Sequence, residues 1–267
     1  MIKIEKDLKS IPDSLQLPEV EFFPNGVPQT SKTTHKRRLE IIKNESYIDE
    51  NKYNSRYKKK DIKLALSNIY KTKCAFCEQK VEQYHVEHYR PKKTYYWIAF
   101  SWDNLLLACS TCNQNKGTNF DISGVMAMFE DHEDSIKTIN TSSAGYDVIE
   151  MPRMVNPEIN DPKGFIAFEK DGKITSDDER FSYTIERCKI DRDFLNDERR
   201  RLLDILERDI ESALVDNATI QDQESEIRII IKKFIRDSKD KNLQFLAFRD
   251  YAISHKWLNE IVKKKTG

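Results

Sequence analysis

Glycine and proline are scarce, at 7 and 8 of 267 residues. So few chain breakers exclude collagen-like and linker-rich architectures and leave room for long helices. No apolar run approaches the roughly 20 residues of a membrane-spanning helix. The opening Met1-Ile2-Lys3-Ile4-Glu5-Lys6 lacks the apolar stretch of a secretory signal. Net charge is absent as well, 45 Lys/Arg against 45 Asp/Glu, which removes the uniform basic excess of many nucleic-acid binders. No G-x-x-x-x-G-K-[ST] occurs, so nothing reads as a P-loop for ATP. Cysteine is limited to five residues. A reducing, cytoplasmic setting is expected, where paired cysteines more often bind metal than each other.

What is present is 38% hydrophobic and 34% charged, the composition of a soluble, mainly helical globular protein with a sizeable core. The charge is unevenly spread. Residues 31–100 hold 17 Lys/Arg against 8 Asp/Glu, and residues 121–161 hold 2 against 9. A basic block beside a reactive motif is where a phosphate backbone would need it, although solvated helix faces give the same count.

Residues 1–30, with Pro12, Pro18, Pro24 and Pro28, read as an irregular arm. Ser31 or Thr33 is placed to cap a helix running to about Lys43, and an apolar face over Ile62, Leu64, Ala65, Leu66 and Ile69 predicts a second from about Lys59 to Tyr70. A short strand is expected over Tyr84–Tyr89 and a second extended stretch over Tyr95–Leu107, then a short helix carrying Asn113 and Lys116 and closed by Gly117. Asp171-Gly172 marks a small hairpin, and from about Ser182 the apolar rhythm is helical. The expected division is an N-terminal arm and helices over 1–73, a compact chemical unit over 74–121, an acidic connector with the hairpin over 122–181, and a helical region over 182–267. The fold class is α+β, mainly helical.

The chemistry concentrates in the second part. Cys74-x-x-Cys77 and Cys109-x-x-Cys112 can close a tetrahedral zinc site, structural because four thiols leave no open position. Cys188 reads as a small buried residue. Between the pairs lies His85-Val86-Glu87-His88. On a strand, His85 and Glu87 share one face and His88 takes the other. A carboxylate suits a hard cation such as Mg²⁺ or Mn²⁺, and an imidazole suits a general base near neutral pH.

Cys74/Cys77, Glu87-His88, Trp102-Asp103-Asn104-Leu105 and Cys109/Cys112-Asn113-Gln114-Asn115-Lys116-Gly117, in that order, resemble the HNH endonucleases with a zinc-braced ββα-metal core. The opening Met-Ile-Lys-Ile, Val86-Glu87-His88-Tyr89-Arg90-Pro91-Lys92, Asn156-Pro157 and Asp161-Pro162 resemble one subgroup. That subgroup is the HNH nuclease subunit of Septu-type and retron-linked anti-phage systems (PtuB-like), which works beside an SMC-like or ABC-like ATPase. The resemblance implies a cytoplasmic effector that hydrolyses nucleic-acid phosphodiesters, DNA foremost, to 5′-phosphate and 3′-hydroxyl ends. It makes His88 the general base, Glu87 and Asn113 the ligands of the catalytic cation, and Asn104 the residue that orients His88 through its amide. Arg90, Lys92 and Lys116 would hold phosphates. Glu87 stands where many relatives have Asp, and His85, without a fixed role in the family, is a candidate third ligand or a brace.

Two other readings follow from the same residues. His85-Val86-Glu87 with Cys109-x-x-Cys112 imitates a zinc deaminase, with His85, Cys109 and Cys112 as ligands. Residue 108 is Ala rather than the Pro of that signature, and Cys74 and Cys77 would be idle. The other is a zinc-braced basic module that binds nucleic acid or a partner without cutting.

Overall fold

The computed structural model describes residues 1–17 and 30–266, with the side chains of residues 30–33 outside the description. Pro18, Pro24 and Pro28 of the expected arm, and the side chains of Ser31 and Thr33, therefore lie outside the described residues. Among those residues no helix is long and apolar enough to cross a membrane.

Residues 1–17 are irregular but docked. Met1 and Leu15 are buried, and the Ile4 amide donates to the Pro157 carbonyl at 2.8 Å. Lys6 explains the anchoring. Its ammonium donates to the carbonyls of Trp102 and Leu105 at 2.6 and 2.7 Å, pairs with Glu158 at 3.2 Å, and lies 3.9 Å from the centre of the Trp102 ring. A buried ammonium needs this full set of partners, because burial without them is strongly unfavourable.

Helix α1 (Thr30–Lys43) is followed by α2 (Asn51–Asn54) and α3 (Lys60–Tyr70). Ile62, Leu66 and Tyr70 form the buried stripe of α3, and Lys71 ends it in the left-handed conformation. Strands β1 (His85–His88) and β2 (Leu105–Ala108) pair antiparallel, His85 opposite Ala108 and His88 opposite Leu105. Helix α4 (Ser110–Lys116) follows at once and stops at Gly117, whose φ of +49° suits a residue without Cβ. This is the strand–strand–helix unit expected from the sequence.

The second extended stretch is shorter than expected. Residues 95–104 fold into 3₁₀ turns at Tyr96–Ile98 and Trp102–Asn104 instead of strand. Aromatic residues favour strands in general, but here Tyr95, Trp97 and Ile98 bury in a separate cluster with Ile42 and Ile139. Tertiary burial on several sides overrides the local preference.

The connector contains α5 (Glu133–Lys137) and α6 (Asp147–Glu150), then the hairpin β3 (Ala167–Phe168) and β4 (Ile174–Thr175). Helix α7 (Glu179–Arg187) begins before Ser182 because the Asp178 carboxylate caps the amides of Arg180 and Phe181. Then come α8 (Asp193–Asp216), α9 (Ile220–Asp237), α10 (Leu246–Ser254) and α11 (Trp257–Thr266). On the apolar faces of the helical rhythm, Leu195, Leu206 and Ile210 of α8 and Ile227 and Phe234 of α9 are buried, while Leu202, Leu214, Ile230 and Ile231 are half-buried. One apolar cluster runs from Met1 through the four cysteines and β2 to Ile261.

At the hairpin turn Gly172 has φ +93°, and a Cβ there would lie 2.0 Å from the Asn196 carbonyl oxygen of α8. Gly172→Ala should lower unfolding free energy by about 1–3 kcal/mol in a urea titration. An unchanged midpoint would mean the turn does not approach α8.

Candidate functional site

The four thiols come first, because they place everything else. The sulfurs of Cys74, Cys77, Cys109 and Cys112 all lie within 4.8 Å of one another, each residue is buried, and none is in a disulfide. Cys77 and Cys109 are 3.9 Å apart. Four sulfurs bound at about 2.3 Å to one tetrahedral ion would be spaced at about 3.8 Å, so the donor set fits a structural zinc in chemistry and spacing. Among the described residues this is the one group of three or more His, Cys, Asp or Glu donors close enough for an ion. His85 is not in it, so the ligand set of the deaminase reading does not assemble.

Local chain explains the convergence. The Ala75 amide donates to Leu107 of β2 at 2.8 Å, fixing the first pair to the sheet edge. Cys109 is the N-cap of α4, and its sulfur accepts the Cys112 amide at 3.3 Å. Arg192, just before α8, adds a cation over the cluster, with Nη1 3.6 Å from Cys112 Sγ and Nη2 3.9 Å from Cys109 Sγ. Four thiolates on a divalent ion carry net negative charge, so a facing guanidinium is favourable. No local sequence signal marked Arg192, which lies eighty residues from Cys112. Cys188 is buried and outside the ion cluster.

Lys116 joins helix to strand. Its fully buried ammonium donates to Glu87 Oε1 at 2.9 Å and to the His88 carbonyl at 2.7 Å. This corrects its reading as a phosphate contact. With both partners inside the protein, Lys116 positions the carboxylate instead. Burial pushes the Glu87 carboxyl above its usual range, and the Lys116 ammonium pulls it back.

His88 ends β1, where the chain bends through Tyr89 and Arg90, and it lines the same groove as Glu87. Its Nε2 lies 3.0 Å from the Ala99 carbonyl oxygen. A carbonyl only accepts, so Nε2 carries the proton and Nδ1 keeps the lone pair. Burial, reinforced by Lys92, holds the imidazole down at about 3, so it is neutral at pH 7. The Tyr57 ring covers it edge-on at 4.5 Å.

Asn104 does not touch His88. Its amide nitrogen donates to the Arg90 and Ile98 carbonyls at 3.1 and 3.2 Å, and its oxygen accepts the Arg90 amide at 2.7 Å. It fixes the loop that presents the Ala99 carbonyl, so its hold on His88 runs through backbone. Sequence offers no sign of a main-chain partner such as Ala99.

Arg90 is the clearest correction. It is fully buried and donates to Glu150 Oε2 at 2.8 Å, Ser143 Oγ at 2.8 Å and Asp147 Oδ1 at 2.5 Å. The rings of Tyr89, Tyr95, Phe120 and Tyr146 lie 5.3 to 5.8 Å from its guanidinium carbon. A guanidinium so enclosed has no face left for phosphate. The acidic connector supplies its counter-ions.

A groove of about 610 Å³ runs past the site, lined by His85, Glu87, His88 and Asn113 together with Lys58, Lys63, Lys92 and Lys93. Asn113, on α4, has a half-buried side chain whose amide has no hydrogen-bond partner among the described residues. His85 is exposed at the outer end of β1. Lys92 reaches the groove, but its ammonium donates to Asn54 Oδ1 at 2.7 Å and Tyr57 Oη at 2.9 Å, and burial pulls it down to about 8. Lys58, Lys63 and Lys93 were not singled out from the sequence. The run Tyr57-Lys58-Lys59-Lys60 was the available signal, an aromatic beside a basic cluster.

Comparison with known proteins agrees with the motif order. Residues 74–119 match the HNH endonuclease family. A Septu protein PtuB of Bacillus mycoides (strain KBAB4) is 29% identical over 155 residues, 52% of this chain and 49% of its own length. A Septu protein PtuB of Bacillus thuringiensis is 41% identical over 70 residues, 25% of this chain and 27% of its own. The matched stretches span about half and about a quarter of these curated relatives. Residues 74–119 are thus an HNH endonuclease unit, and the similarity to Septu relatives extends beyond it.

Two outcomes separate these assignments from their alternatives. Arg90→Ala, which leaves Glu150 buried and unpaired, should cost about 3–5 kcal/mol of stability in chemical denaturation; a phosphate contact would leave stability unchanged. Elemental analysis of purified protein should find one zinc per chain, lost together with cooperative thermal unfolding in Cys112→Ser. Retention of the ion by that variant would reject the four-sulfur site.

Proposed function

We propose that this chain is a metal-dependent HNH endonuclease that hydrolyses nucleic-acid phosphodiesters, with DNA as substrate, and that it is the effector of a Septu-type anti-phage system acting beside a separate SMC-like or ABC-like ATPase. One observation carries the reading: a neutral imidazole, a carboxylate and an unpartnered amide, at His88, Glu87 and Asn113, share one lysine-lined groove. The partner rests on similarity to proteins named Septu protein PtuB and on the lack of a P-loop in this chain. Reduced, metal-clustered thiols fit a cytoplasmic setting.

Glu87 and Asn113 offer oxygen donors, with His85 nearby as a third candidate. Two side-chain oxygens and several waters is an ordinary set for a hard cation. Mg²⁺ or Mn²⁺ bound there would offset the negative charge that grows on the scissile phosphate and leaving oxygen.

The remaining steps belong to the chain. Lys58, Lys63 and Lys93 attract the phosphate backbone into the groove. His88, held through Nε2 by the Ala99 carbonyl, presents Nδ1 to a water and takes its proton as that water attacks phosphorus in line. Lys116 keeps Glu87 aimed at the groove. Tyr57 restricts access of bulk water to the imidazole, and Lys92, tied to Tyr57, holds that ring in place. Cys74, Cys77, Cys109 and Cys112 would leave no open position on a zinc they held, so that ion would have a structural part and activate no water.

Supercoiled plasmid DNA incubated with Mg²⁺ or Mn²⁺, with the neighbouring ATPase supplied, should be cleaved. His88→Ala should lower the rate by about 10²–10⁴-fold. A fully active His88→Ala variant would reject the mechanism. A metal-replete wild type that cuts neither DNA nor RNA would leave a binding module.

A further inference from the structure

The connector is built inside out around Glu150. In α6, Glu150 is fully buried, while its neighbours Val148 and Ile149 are 84% and 54% exposed. Glu150 is drawn inward twice over: Oε2 accepts from Arg90 at 2.8 Å and Oε1 accepts the Ala127 amide at 3.0 Å. The irregular segment beside it repeats the pattern. Ala127 is buried, and Val125 and Met128 are 73% and 72% exposed. Gly124 locks the two segments together, since its amide donates to the Glu150 carbonyl at 2.8 Å and the Val125 amide donates to Ile149 at 3.1 Å. The charge needed by Arg90 goes in, and the apolar side chains are forced out.

The result is a set of exposed apolar side chains, Val125, Met126, Met128, Val148, Ile149 and Met151, on two segments that these backbone hydrogen bonds hold side by side. These are six of the fifteen large apolar side chains exposed among the described residues, gathered within 27 positions. Scattered exposed apolar residues are ordinary, but a contiguous patch with polar borders marks a contact surface. Three of the six are Met, a side chain that adapts to varied partners. The border is acidic, with Glu130, Asp131 and Asp134 exposed just after Met128. That charge disfavours nucleic acid and anionic lipid alike and selects a cationic occupant.

We propose that the surface of Val125, Met126, Met128, Val148, Ile149 and Met151 docks a partner protein through a basic helix with an apolar face. The helix lays Leu- or Ile-type side chains on the methionines and pairs its Lys or Arg with Glu130, Asp131 and Asp134. The surface involves none of the groove residues, so it stands whether or not the chain cuts phosphodiesters. Beneath it Glu150 holds Arg90, which meets Asn104. A bound helix would therefore lie over the support of the loop that carries Ala99.

The methionines supply their own test. The chain has five, of which Met126, Met128 and Met151 are exposed and Met1 and Met154 are buried. Full-length protein labelled with ¹³C at the methionine methyls is titrated with a helical Leu–Lys peptide and, separately, with a Leu–Glu peptide of the same pattern. The Leu–Lys peptide should shift Met126, Met128 and Met151, leave Met1 and Met154 in place, and bind about tenfold or more tightly than its acidic counterpart. Val148→Asp, at an exposed position, should keep the melting temperature and weaken peptide binding by about tenfold or more. Equal response to both peptides, unshifted surface methionines, or unweakened binding by Val148→Asp would overturn the proposal. Sedimentation showing a wild-type dimer that Val148→Asp dissolves would overturn it in favour of a second copy.

Discussion

Four sulfurs within 4.8 Å of one another close a loop of 31 intervening residues between Cys77 and Cys109. The elements they join could not stand alone. Strands β1 and β2 have four residues each and α4 has seven. A two-stranded hairpin or a helix of two turns is marginal in water. An ion on those sulfurs converts two weak elements into one rigid unit, because its binding free energy becomes folding free energy. Lys116 then completes the joint from the far end of α4. Glu87, His88 and Asn113 stand on β1 and α4, the strand and helix of that joint, so the groove inherits its geometry from the sulfur cluster.

The second organising feature is the burial of cations. Lys6, Arg38, Arg90, Lys116 and Arg199 are each nearly or fully enclosed. Each has found acids, carbonyls or both. Arg38 donates to the Phe100 carbonyl at 2.9 Å, and Arg199 to the carbonyls of Gly172 and Ile190 at 2.8 and 2.9 Å. These residues act as polar rivets between segments distant in sequence. The acidic connector neutralises one of them, Arg90, through Asp147 and Glu150. Val148 and Ile149, beside the inward-facing Glu150, are left exposed as a consequence.

Elements with a local physical signature were legible in the sequence. Two x2-spaced cysteine pairs, the stripe of α3, the Gly117 stop and the Asp171-Gly172 turn each encode their geometry within a few residues. The motif order was enough to identify the HNH unit. Positions decided by distant partners were not legible. For Arg90, Lys92 and Lys116 the family resemblance implied phosphate contacts. Only the fold shows Arg90 facing Glu150 and Asp147, Lys116 facing Glu87, and Lys92 shared with Tyr57. The count of 17 basic residues over 31–100 had the same defect, since it included the buried Arg38, Lys73 and Arg90. Main-chain partners such as the Ala99 carbonyl carry no sequence signal at all. The 3₁₀ turns at Tyr96–Ile98 and Trp102–Asn104 carry no local signal, because burial of Tyr95, Trp97 and Ile98 against Ile42 and Ile139 decides them.

The central claim is that the sulfur cluster and Lys116 bring Glu87 and Asn113 to one shared divalent cation, separate from the zinc. Titration of zinc-loaded protein with Mn²⁺, followed by electron paramagnetic resonance, addresses it without reference to cleavage. One Mn²⁺ site should appear, weakened in both Glu87→Ala and Asn113→Ala, with zinc content unchanged in each. Mn²⁺ binding indifferent to both substitutions would contradict the account.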